Sequence, residues 1–103
     1  MKTIIYYELD IKIRNKKLQD ILGDDWLLLN FETLERMENY LDGLYNKLKD
    51  EFHLTKCVKW SCKEENTPFN RNNYNNCADF IPDDGGNLGL HITARCKRIH
   101  ITE

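Results

Sequence analysis

Long apolar runs are missing from this chain. The furthest-reaching one is Trp26–Leu29, far below the roughly 20 residues a membrane-spanning helix needs. Met1–Tyr7 is a short apolar stretch with one lysine, broken off by Glu8 and Asp10. It lacks the hydrophobic centre and small-residue cleavage site of an export signal, so a cytoplasmic location without membrane contact is expected. Proline and glycine are sparse, at two and five residues. The clustered glycines, Gly85, Gly86 and Gly89, match neither phosphate-loop frame and precede a strand pattern, so no nucleotide cofactor is expected.

Paired cysteine knuckles are missing too. Cys57, Cys62, Cys77 and Cys96 contain no C-x2-C step, and in a regular strand Cys57 and Cys62 point to opposite faces. The expectation is four reduced thiols and no metal. No G-x-S-x-G elbow or local cysteine signature supports a nucleophile. His53, His91 and His100 lack an evident orienting partner, so no catalytic residue is assigned and the chain is expected not to be an enzyme. His53 instead sits near a helix C-terminus, where a cation is favoured.

The 103 residues, 41% hydrophobic and 11% aromatic, suit one domain over residues 1–103 with one modest core. Lys, Asn, Ile, Asp and Tyr are abundant, as in a low-GC bacterium or its phages. Net charge is -2, which excludes a whole-chain basic footprint for duplex DNA. The charge is uneven. Asp20–Asp42 holds seven acids against one base, Arg36, whereas Arg95, Lys97 and Arg98 stand against Glu103 near the other end.

Residues 3–13 alternate with period two. Ile5, Tyr7, Leu9, Ile11 and Ile13 share one face, and Ile4, Tyr6, Glu8, Asp10 and Lys12 share a wet one. A short helix around Leu18–Leu22 closes at Gly23, and Trp26–Phe31 reads as a short strand. Leu34, Met37, Leu41, Leu44, Tyr45, Leu48 and Phe52 then predict an amphipathic helix over Thr33–Phe52, with Thr33 as N-cap. Leu54–Lys63 predicts a strand with Val58, Trp60 and Cys62 on its apolar face, placing Trp60 with Leu41 at the helix–sheet seam. Glu64–Asn76 predicts a long loop, Cys77–Ile81 a short strand, and Asp83–Asn87 a turn. Leu88, Leu90, Ile92, Ala94 and Cys96 predict a final strand, with a bulge or bend where the phase switches at Lys97–Arg98. The fold class is α+β: a small two-layer sandwich with one long amphipathic helix on one face of a four- to five-stranded, mostly antiparallel sheet.

Two surfaces stand out. Glu32, Glu35, Glu38 and Asp42 recur at three- and four-residue steps along the outer side of the long helix, and Asp24 and Asp25 precede it. Like charges at that spacing cost about a few tenths of a kcal/mol each, which suits a surface that receives a basic protein partner. It also suits an ordinary solvated helix face. On the wet sheet face, Lys12, Lys59, Lys63, Arg95 and Lys97 gather with His91 and Tyr6, a possible groove for single-stranded nucleic acid. The same lysines would equally guard exposed strands against aggregation. Glu8 and Asp10 are expected to pair with cations across the sheet. Small size, acidity and the absence of a catalytic motif give the chain the look of accessory proteins of phages and mobile elements. The leading expectation is a binding protein that occludes a macromolecular partner, for instance an inhibitor of a host defence or nucleic-acid enzyme (anti-CRISPR-like). The alternative is the single-strand nucleic-acid module.

Overall fold

Alternation with period two lays down the longest strands of the computed structural model, which describes residues 2–60 and 75–102. In chain order the elements are β1 (Lys2–Ile13), α1 (Lys16–Leu22), β2 (Trp26–Phe31), α2 (Leu34–Leu48), β3 (Leu54–Lys59), β4 (Asn75–Pro82) and β5 (Leu90–Ile101). The strands form one sheet in the order β2-β1-β5-β4-β3, antiparallel at every junction. Among the described residues the architecture is therefore α+β, with five strands and two helices. The expected Lys63 and Cys62 positions lie outside the described residues.

The helices start and stop where local chemistry dictates. Asn15 caps α1 by accepting from the Lys17 and Leu18 amides, and Gly23 ends it at φ 79°, a left-handed conformation that costs glycine little. Thr33 caps α2 by accepting from the Arg36 amide. This helix stops at Leu48, short of the expected Phe52. The chain turns there instead, with Leu54 donating to the Lys49 carbonyl and His53 at φ 52°. His53 thus lies beyond the helix end it was expected to occupy.

One core joins the layers. Leu9, Ile11 and Ile13 of β1, Ile92 and Ala94 of β5, and Ala78 and Phe80 of β4 meet Leu18, Met37, Leu41, Leu44 and Leu48 of the helices. Each leucine, isoleucine, methionine or phenylalanine among them contributes roughly 1.5–3 kcal/mol on removal from water. Two ring contacts tie α2 to strands toward opposite edges of the sheet, Tyr40 to Phe31 of β2 and Tyr45 to Phe80 of β4.

Two expected registers are corrected. In β3, Cys57 and Lys59 face the helices, and Trp60 is 47% exposed instead of lying at the seam. Cys57 pairs with the buried Phe80 and Lys59 with Ala78, after a register shift between Leu54 and Lys56. That irregularity inverts the alternation downstream of Leu54. In β5 no bulge occurs at Lys97–Arg98. Its pairing with β1 runs unbroken from Ile13↔Leu90 to Lys2↔Ile101, and Ile99 and Ile101 simply remain exposed on the face of Lys97.

Candidate functional site

The face of the sheet turned away from the helices is built from even positions of β1 and β2 and odd positions of β5. Its cross-strand pairs are Lys12–His91, Asp10–Thr93, Glu8–Arg95, Tyr6–Lys97 and Ile4–Ile99, with Trp26 and Leu28 beyond Lys12 and Asp10 on β2. Tyr6, Lys12, Arg95 and Lys97 therefore share one surface, as their alternation requires. The face is less basic than expected. Arg95 Nε donates to Glu8 Oε1 at 2.7 Å, with both side chains mostly shielded, so the cross-strand pairing expected of Glu8 is present. Asp10 is buried, and its Oδ1 accepts no hydrogen bond among the described residues; the pairing expected of it is not seen there.

Lys59 does not join this face. From the opposite side of the sheet its ammonium donates to Asp42 of α2. That hydrogen bond raises the Lys59 pKa above the ordinary lysine value; desolvation opposes the shift, and the charges of Asp42 and Glu38 reinforce it. One residue assigned to each expected surface is thus consumed in a single ion pair.

The remaining acids fall into two groups separated by β2. Asp24 and Asp25 sit in the turn before the strand. There Asp24 Oδ1 accepts from the Asp25 amide at 2.8 Å and more weakly from the Trp26 amide at 3.4 Å. Glu32 and Glu35 sit after the strand, with Glu32 3.7 Å from Arg36. Six strand residues hold the groups apart by about 20 Å at a strand's usual rise. Glu38 is half-buried on the flank of α2. Asp25, Glu35 and Glu38 make no ion pair among the described residues. The six carboxylates thus do not form a single cluster: two groups flank the ends of β2, Glu38 lies on α2, and Asp42 reaches Lys59 of β3, the edge strand opposite β2.

Between the two groups lies what periodicity alone did not flag. Trp26 is 51% and Leu28 46% exposed, side by side on the outermost strand. The signal was present in the sequence as an uncharged apolar run between acids, inside the expected short strand Trp26–Phe31.

Elsewhere, β4 and β5 part beyond Ala78↔Ile92, because β4 continues along β3 to Pro82. The gap is an open cleft of ≈ 520 Å³ whose lining includes Trp60, Asp79, Asn87 and His91. At its end the Asp83–Asn87 turn forms as expected, with Asp84 Oδ1 accepting from the Gly86 amide and Gly85 at φ 73°. Among the described residues no three His, Cys, Asp or Glu side chains gather in a metal-binding group. Cys77 and Cys96 are buried and Cys57 half-buried. Burial pushes the Cys57 and Cys96 thiols up, which disfavours the nucleophilic thiolate. No helix among the described residues is long and apolar enough to cross a membrane. Compared with family models, curated proteins and solved structures, the chain matches none.

Proposed function

We propose that this protein binds another protein without catalysis and occludes it through the carboxylates at the two ends of β2, Asp24, Asp25, Glu32 and Glu35, with Glu38 and Asp42 along α2 extending the acidic surface. Inhibition of a host defence or nucleic-acid enzyme, as a phage or mobile-element inhibitor would do, is its concrete form. The observation that carries this reading is where charge is already spent. Arg95 is held by Glu8 and Lys59 by Asp42, which leaves Lys12 and Lys97 of the basic set without an ionic partner among the described residues, against Asp24, Asp25, Glu35 and Glu38 of the acidic set. Charges left unneutralised within a fold set its long-range field and its preference among partners.

Affinity capture from nuclease-treated lysate tests it. A bound basic protein should survive nuclease and be lost in the Glu32→Lys, Glu35→Lys double variant. Capture of no protein, or an association that nuclease destroys and Lys12→Glu with Lys97→Glu abolishes, overturns the reading in favour of single-stranded nucleic acid.

A further inference from the structure

We infer that the partner adds an extended segment to the free edge of β2, and that this segment is apolar in its middle and basic at both ends. The inference rests on the protein-binding reading above and names how that binding occurs.

The edge is geometrically ready. β2 is the outermost strand beside β1. The Ile13 amide donates to the Asp25 carbonyl, and those residues are directly opposed in the β1–β2 register. Bonded pairs alternate along an antiparallel ladder, so Leu27, Leu29 and Phe31 turn their backbone groups toward β1. Trp26, Leu28 and Asn30 turn theirs outward. Among the described residues only the Trp26 amide is partly engaged there, by Asp24. Leu28 and Asn30 are left, among those residues, as a template for another strand, with the exposed Trp26 and Leu28 side chains beside it on the face away from the helices. Backbone bonds to such an edge supply affinity, and alternate side chains supply selectivity.

The ends choose the occupant. Asp24 and Asp25 stand before the strand, where Lys12 lies opposite Trp26 and Lys16 is paired with Asp20. Glu32 and Glu35 stand after it, against Arg36. At each end two acids face one cation, Lys12 unpaired among the described residues and Arg36 shared. A second copy of this chain fits poorly. Antiparallel pairing that keeps both helix layers on one side centres on Leu28 or Leu29. It then sets Glu32 of one copy against Asp24 or Trp26 of the other. An incoming segment with lysine or arginine at both ends meets opposite charge instead.

The test uses a fluorescent nine-residue peptide in which valine and threonine alternate between paired lysines, and a twin with paired glutamates. Anisotropy should show the lysine peptide binding at least tenfold more tightly than its twin. Leu28→Lys should weaken it at least tenfold, and the Leu28 and Asn30 amides should become protected from hydrogen exchange. Equal binding of the two peptides, or indifference to Leu28→Lys, overturns strand addition. Sedimentation showing a dimer that Leu28→Lys dissociates overturns it too, by identifying a second copy as the occupant. The two readings fail separately: if Glu32→Lys with Glu35→Lys releases the captured protein while Leu28→Lys does not, binding through the carboxylates stands and strand addition falls.

Discussion

The sheet has two edges, and they are defended in different ways. β3 carries its protection along the strand. A register shift interrupts it between Leu54 and Lys56, Lys56 is exposed, and Lys59 reaches sideways to Asp42. Bulges and inserted lysines are the usual means of making an edge unattractive to other strands. β2 has neither. Its six residues contain no charge, its register with β1 is unbroken, and its acids lie only past its ends. Charge along a strand repels every visitor, whereas charge at the ends selects among them. The difference between the two edges therefore separates a boundary from a receptor.

The largest effects that would sharpen this comparison come from the core that both edges share. Phe80→Ala should cost about 3–5 kcal/mol and Leu41→Ala about 2–5 kcal/mol, because both are nearly inaccessible. Urea denaturation measures both. Trp60→Ala and Leu28→Ala, at half-exposed positions, should each cost about 1 kcal/mol or less. A Trp60→Ala loss as large as that of Leu41→Ala would return Trp60 to the seam and break the β3 register described here.

A second experiment exchanges the defences. Lys56→Val with Lys59→Val strips β3 of its charges and should raise self-association in light scattering, whereas Leu28→Lys on β2 should not. If the stripped β3 variant stays as dispersed as the parent, the lysines do not guard that edge.

Smaller still is the Lys59–Asp42 pair. Both side chains are partly solvated, so a double-mutant cycle should give about 0.2–1 kcal/mol. Lys59 has a raised pKa in the folded state. The pair's contribution is therefore complete below the ordinary lysine value of about 10.4 and disappears as pH climbs through the higher folded value. A coupling that persists unchanged at still higher pH contradicts the assignment. The mildest probe is alkylation. Cys57, half-buried on β3, should react before Cys77 and Cys96, with peptide mapping to read the order; faster labelling of either buried thiol contradicts their placement.

What the sequence made legible follows from burial. Leu9, Ile11 and Ile13 alternate because one side of β1 meets the helices, and Met37, Leu41, Leu44 and Leu48 repeat because one side of α2 meets the sheet. Caps at Thr33 and Gly23 were readable because they satisfy backbone groups locally. β3 was misread because a bulge shifts parity without leaving a compositional trace: Val58 and Trp60 look like inward residues and point outward. The outer ends of β1 and β5 were hard for another reason. Ile4, Ile5, Ile99 and Ile101 are all exposed, so neither face of that ribbon is constrained to be polar and the apparent phase switch meant nothing. At the candidate surface, the acids were visible in the sequence. Their separation by β2, the loss of Asp42 to Lys59, and the bare edge between Asp25 and Glu32 depend on strand order, which no local period encodes.

The pairing of β1 with β5 carries a consequence for how the chain assembles. These two strands sit together in the interior of the sheet, yet they join residues as distant as Thr3 and His100, 97 positions apart. Closing so long a loop costs entropy before the contacts form, and topologies dominated by such pairings fold slowly. During synthesis β1 can pair with β2 and receive α2 early, but its other edge stays unmet until β5 has left the ribosome. The nascent chain must therefore protect two strand edges at once while the residues between β2 and β5 are made, and a chaperone that shields extended apolar segments would find its binding site on β1 in that interval.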